Sequence, residues 1–447
     1  MNNDITRRDA LGLMASAAAL AATGASAQAQ SASPIKVADV PAPQLKIESG
    51  ASLRMLRPVR FIKADEDVFR ANAAKFTEKT GVQVKVDLVG WEDINQQTAV
   101  TSNSGAGPDI IIGFSDAPHI YADKLIELTD VADYLGKRYG GWLSLALKYG
   151  KRHNSDAWIG LPFGATNGPV VYRKSMVQAV GYEKVPDDHA GFLDLCQKLK
   201  KSGKPAGFAL GNAVGDGNTF ANWLLWSHGG SLLDEEGNVT INSKETIAAL
   251  KYLKELYPTF IDGTVSWNDV SNNRAYSAGE ISMTTNGVSL YFSLKNDPAT
   301  AAIAEDTEHK TVPLGVAKTP PVAGLTLNAM VFKHSPYPNA AKAFLQFMLE
   351  HEQYDAWINA NNGYWAHPLA AYADSAVWLG DPKIAIFKDT MANAFWMGYK
   401  GPISAASGAV NADYVLIQMF ASAATGAATP EAAAQEAERR AKRYFRR

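Results

Sequence analysis

Six stretches of this chain mix aromatic rings with short hydrogen-bonding side chains. They are "VGWED" (Trp91, Glu92, Asp93), "GFSDAP" (Phe114, Ser115, Asp116), "PFGATNG" (Thr166, Asn167), "GDGNTFANWLLW" (Asn218), "SWNDVSNNRAYSAGEISMTTNGVSLYF" and "NGYWAHP" (Tyr364, Trp365). A flat aromatic face covers the C–H face of a sugar, while Asp, Asn, Ser and Thr hydrogen-bond its hydroxyls. Taken singly, each Trp is better explained by core packing. The argument rests on one mixed composition recurring in several loops, and it points to binding of a polar solute.

Motifs for bond breaking are missing. There is no G-x-x-x-x-G-K-[ST] phosphate loop, so this chain does not itself hydrolyse ATP. H-E-x-x-H, C-x-x-C and G-x-S-x-G are also absent, and "HEQYD" at His351 fails the zinc pattern at its fifth position. "DEEGNVT" from Asp234 lacks the alternating oxygen ligands of a calcium loop and reads as a turn between short strands. No motif places a carboxylate pair for glycoside hydrolysis. The expectation is a non-enzyme without metal or cofactor.

Bulk properties narrow the class further. The 447 residues suit two or three domains, and 47% hydrophobic against 20% charged residues permits a large core. The net charge of −2 offers no field for nucleic acid or an anionic membrane. The single Cys196 rules out an internal disulfide.

Residues 1–27 carry Arg7-Arg8, an apolar run from Ala10 to Ala22 and a small-residue exit at Ala25-Ser26-Ala27. This is the anatomy of an export signal, and the arginine pair resembles a twin-arginine signal, with departures at Ala10 and Gly12; an ordinary Sec signal is the alternative. No cysteine stands at the exit for lipid anchoring, and no later segment is apolar enough to span a bilayer. Residues 28–50, rich in Ala, Ser, Pro and Gln, read as a flexible tether.

The loops need a scaffold. "LRMLRPV" reads as a buried strand, Asp65 to Lys79 as a helix stopped by Gly81, and Val82 to Leu88 as a period-two strand. A helix over 95–103 and a buried strand at Ile110-Ile111-Ile112 complete an α/β rhythm around a mostly parallel sheet. The second half is expected to repeat that style. It has helices starting near Asn242, with Glu245 as capping partner, near Pro338, and at Thr429-Pro430. In "WIGLPFGATNGPVVYRKSM", two apolar strands flank a break from Pro162 to Pro169, in which Gly164 and Gly168 serve either as a hinge or as simple loop residues.

The chain resembles the carbohydrate-type extracellular solute-binding proteins of ABC importers, the group that includes maltose-binding protein. The resemblance is carried in order by "AAKFTEKTGVQVKV", "SGAGPDIIIG", "LPFGATNGPVVYRKSM", "SHGGSLLDEEGNVTINSKETIAALKYLKELY", "AYSAGEISMTTNG", "PNAAKAFLQFMLEHEQYDAWI" and "ATGAATPEAAAQEAERR". It implies a type II-like periplasmic binding protein fold of two α/β lobes, 51–166 plus 313–364 and 167–312 plus 365–447. Crossing hinge segments join them within Trp158–Met176 and near Thr311–Val316 and Tyr364–Pro368. It also implies a periplasmic monomer that passes a carbohydrate-like solute to an inner-membrane permease with separate ATPase subunits.

The ligand contacts expected on this basis are Lys63, Asp65, Trp91, Ser115, Asp116, Thr166, Asn167, Asn218, Asn286, Ser289, Tyr364 and Trp365. Thr166 stands where a relative offers a carboxylate, and Ser289 where maltose binders place a stacking Trp. Asp413 and Tyr414 lie where another aromatic pair often sits. These departures imply a smaller or more polar ligand, such as a small sugar, a polyol or a sugar acid. Two alternatives stand: a secreted carbohydrate-active enzyme, and a binder of a phosphorylated polyol using Lys63, Arg274 or Lys400.

Overall fold

Alternating apolar residues and glycine stops produce the first lobe much as the pattern suggests. A computed structural model describes residues 35–446. The export segment 1–27 and the start of the tether lie outside the described residues. Strand β1 (Ser52–Pro58) pairs in parallel with β2 (Gln83–Val89) and β3 (Ile110–Phe114). The Lys63–Thr80 helix between β1 and β2 ends where Gly81 adopts a left-handed conformation, as a C-terminal glycine does. It buries Phe69, Ala73 and Phe76.

The sheet is completed by distant chain. β8 (Leu325–Val331) runs antiparallel between β3 and β4 (Leu161–Thr166), for a strand order β2-β1-β3-β8-β4. The break expected from Pro162 is therefore shorter: residues 161–166 are a strand, with a register irregularity between Pro162 and Gly164. A Cβ at Gly164 would stand 2.7 Å from Cβ of Trp365, so close approach of two chain segments explains that glycine.

The second sheet departs from the parallel expectation. β5 (Val170–Arg173) is flanked by β6 (Met283–Thr285) and β7 (Thr307–Lys310), both antiparallel to it. A sheet this short is stabilised by helices packed on it. The buried aromatics Phe192, Phe208, Phe220 and Trp223 fill its core, joined by Leu250 and Leu253. The helix expected from Asn242 runs Lys244–Leu256 and is capped by Ser243, whose hydroxyl accepts the Thr246 N–H. Thr429 caps the Pro430–Phe445 helix as expected.

Two buried clusters result: the first surrounds the five-stranded sheet and also takes in Val171 of β5 and buried residues of 275–304, and the second packs on the short sheet. Trp365, Tyr372, Trp378 and Phe387 pack with the first, and Met391 onward with the second. Crossing chain ties the halves together. β4 leads into β5 through residues 167–169, and Ala165 exchanges backbone hydrogen bonds with Ala366 at 3.0 and 2.7 Å.

The segment read as a tether lies along the first half from residue 35. Ala38 bonds the Arg138 carbonyl, and the Glu48 carboxylate accepts the N–H groups of Asn339 and Ala340 at the start of the Pro338–Leu349 helix. Two free helix N–H groups aimed at a carboxylate explain why this stretch docks.

Candidate functional site

A narrow cleft opens where the crossing segments meet both sheets. Its floor is Thr166, Asn167 and Gly168, which leave β4 for β5. One wall is aromatic. Phe61 meets Trp91 edge-on at 4.8 Å between ring centroids, and Tyr364 lies 6.1 Å from Phe61. Trp91 is held from behind by a 2.8 Å bond from its indole N–H to the Val59 carbonyl and by stacking on Trp365 at 6.0 Å. Such anchoring presents a rigid ring to a ligand at little entropic cost.

The opposite wall is polar and comes from the start of the Asp216–Ser227 helix, the loop at Asp269–Asn273, and Asn286, Gly287 and Ser289. The Asp269 carboxylate accepts the N–H of Gly215 at 3.1 Å and of Asp216 at 2.7 Å, satisfying the helix start. Asn272 donates to the Asp216 carboxylate at 2.8 Å, and Asn286 donates to Asn273 at 2.5 Å. Burial holds Asp216 far above the usual carboxylate range, and the charge of Asp269 adds to this. Burial also raises Asp269, to about 6, against the lowering effect of the backbone N–H groups it accepts. Burial raises Tyr364 too, with both carboxylates reinforcing it.

Hydrogen-bonding atoms remain unused at the floor. Thr166 Oγ1 and Asn167 Oδ1 are buried with no partner in the protein. A buried polar atom without a partner is costly, and a ligand hydroxyl would remove that cost.

The structure gathers Trp91, Thr166, Asn167, Asn286, Ser289 and Tyr364 around this one cleft. Asp116 and Asn218 line an adjoining cavity that shares Leu325 with it and also includes Asn411 and Tyr414. The other four residues lie elsewhere. Asp65 sits in the core, ion-paired with Arg57 at 2.8 Å, with side chains only 4% and 3% exposed, and accepts the Trp357 indole N–H. Lys63 is 75% exposed and pairs with Asp67 one helical turn on. Ser115, in a left-handed conformation, is tied to Thr326 by its backbone and hydroxyl. Trp365 is buried behind Trp91.

Phe61, Asp216, Thr219, Asp269 and Asn273 line the cleft without having been singled out. Four of them lie inside stretches already marked by composition. Helix geometry would have separated them: Asp216 and Thr219, three apart, share one face, while Asn218 points about 100° from Thr219 and about 160° from Asp216, into the adjoining cavity. Phe61 precedes a helix in "RFIKAD" and carries no signal distinguishing it from a core residue.

Among the described residues no group of three or more His, Cys, Asp or Glu is placed to hold a metal ion, and no helix is long and apolar enough to cross a membrane.

Proteins of known structure share this fold. Over 313 residues the chain is 25% identical to a protein of Escherichia coli (strain K12) named as the ABC transporter periplasmic-binding protein YcjN, covering 67% of this chain and 69% of that one. In structure it is similar to a sugar transporter from Arthrobacter chlorophenolicus A6 with bound laminaribiose (TM-score 0.76, 18% identity, 88% of this chain and 99% of that one). It is also similar to an ABC transporter solute-binding protein from Thermotoga lettingae TMO bound with α-D-tagatose (TM-score 0.74, 17% identity, 88% and 100%). A third similar structure is a solute-binding protein from Agrobacterium radiobacter K84 in complex with ribitol (TM-score 0.71, 19% identity, 88% and 98%). The model of the bacterial extracellular solute-binding protein family matches residues 71–386, and the chain belongs to that family.

Proposed function

We propose that this protein is the substrate-binding component of an ABC importer, capturing a small sugar or polyol in the cleft and delivering it to a membrane permease. The observation that carries the reading is the pairing of unpartnered Thr166 and Asn167 atoms at the floor with the Phe61–Trp91–Tyr364 wall above them. A ligand there replaces the missing hydrogen bonds and covers the rings. The tagatose- and ribitol-bound relatives support a ligand of that size.

In this reading residues 1–27 direct export and are removed, and the protein acts in the periplasm as a monomer. The permease and its ATPase subunits are separate chains. The lobes are 51–166 plus 313–364 and 167–312 plus 365–447, with side chains of 365–387 reaching back onto the first. The lobes close on the ligand as a hinge, with a few residues of the crossing segments absorbing the backbone change. Closure requires that the ligand favour the closed state over the open one.

The two alternatives fare worse. A glycoside-cleaving pair needs two carboxyls facing each other across the scissile bond, whereas Asp216 and Asp269 share one wall, Asp269 is engaged by two backbone N–H groups, and Asp116 lines the adjoining cavity. A phosphate needs Lys or Arg, and none of Lys63, Arg274 and Lys400 lines the cleft. The test is a thermal-shift screen of residues 28–447 against sugars, polyols, sugar acids and phosphorylated polyols. A saturable shift with a neutral sugar or polyol, about 2.7 kcal/mol at a hundredfold excess over Kd, and no product on long incubation are expected. A shift confined to phosphorylated compounds, or release of product, contradicts the reading.

A further inference from the structure

The cleft and its adjoining cavity are lined by carboxylates without a matching cation. Asp216 and Asp269 line the first and Asp116 the second, and Leu325 lines both. Glu92, exposed beside Trp91, adds negative charge at Asp269. No Lys, Arg or His lines either space. The hydrogen-bond partners of Asp216 and Asp269 are neutral amides: the N–H groups of Gly215 and Asp216 for one and Asn272 for the other.

Asp116 is the sharper case. It is 2% exposed, and neither carboxylate oxygen has a partner in the protein. It follows Ser115, whose left-handed backbone is held by bonds to Thr326. Gly408 from the other half packs directly against it, where a Cβ would lie 2.8 Å from Cβ of Asp116. Buried carboxylates stay charged only beside a cation or several donors; otherwise they hold a proton. The rings of Phe61, Trp91 and Tyr364 add the negative faces that attract an organic cation.

We propose that the preferred solute carries an ammonium group, as an amino sugar or amino polyol does, and that its positive charge takes the place of a proton on one of the carboxyls Asp116, Asp216 and Asp269. This rests on the solute-binding reading above and names the ligand class within it. The exchange balances: the protonated carboxyl releases H⁺ to solvent, and the ligand ammonium enters opposite the carboxylate formed. Anionic solutes, sugar acids included, are disfavoured by the same charges. The direction of the pKa shifts agrees, since burial raises Asp116 to about 8 and Asp269 to about 6.

The test is titration calorimetry at pH 7 on the full mature chain, using matched sets. Each set holds an amine, its hydroxyl parent and its N-acetyl derivative: glucosamine, glucose and N-acetylglucosamine; galactosamine and its counterparts; 1-amino-1-deoxysorbitol, sorbitol and the N-acetyl amine. In at least one set the amine should bind ten-fold or more tighter than both neutral members. Repeating the titration in buffers of different ionisation enthalpy should show proton release for the amine alone. Asp216→Asn and Asp116→Asn, each nearly isosteric, should narrow that gap. Neutral members binding as tightly as the amine in every set would overturn the charge proposal and leave the carbohydrate reading in place. No binding in any set would overturn both.

Discussion

The Asp269 carboxylate accepts the Asp216 backbone N–H at 2.7 Å, while the Asp216 side chain turns to Asn272 in the same cleft. One acid therefore fixes the helix start that presents the other. Replacing Asp269 by Ala frees the N–H groups of Gly215 and Asp216 and should cost about 1–3 kcal/mol of stability. Asp269→Asn retains an acceptor oxygen and should cost less. Urea unfolding of the two variants checks the order, and equal losses would contradict it.

Gly287 marks where the walls meet. A Cβ there would stand 2.8 Å from the Tyr364 ring and 2.9 Å from Thr166 Oγ1. Gly287→Val should lower ligand affinity at least ten-fold, because the side chain fills the floor of the cleft. Calorimetry with the ligand found by screening checks this; an unaltered Kd would move the site elsewhere.

The Arg57–Asp65 pair supplies a control outside the cleft lining. Asp65→Ala leaves a buried guanidinium without its partner and should cost about 3–5 kcal/mol. Because Asp65 does not line the cleft, Kd at a temperature where the variant remains folded should stay within about two-fold of wild type. A large loss of affinity without loss of stability would return Asp65 to the site.

Acid lining also makes stability depend on pH. Burial raises Asp116 from 3.8 to about 8 in the folded protein. Between those values the folded state binds more protons than the unfolded one, so this group's contribution is fully present below about pH 4 and is lost as pH rises through 8. The full loss is on the order of 5 kcal/mol. Wild type should lose stability relative to Asp116→Asn between pH 5 and pH 8.5, as read by urea midpoints at each pH. Parallel curves would refute the shift.

The first lobe was legible because its signals are local. Period-two alternation at Val82, Val84, Val86 and Leu88, the run at Ile110–Ile112 and the glycine stop at Gly81 each act within a few residues. The antiparallel second sheet was not, because β5, β6 and β7 are three or four residues long and β5 lies more than a hundred residues before both its partners. Composition located the loops that form the cleft. It did not separate Asp216 and Thr219 from Asn218, since that depends on where the helix begins. Asp65 has the residue type of a ligand contact, but its partner Arg57 comes from a neighbouring strand and draws it into the core.

The central claim, that solute is held at the crossing segments between the two sheets, is tested most directly by hydrogen–deuterium exchange with and without saturating ligand. Protection should rise together in residues 164–170, 213–219, 267–273 and 284–289, which supply the floor and polar wall. Protection confined to another face, or none at full occupancy, would contradict the account.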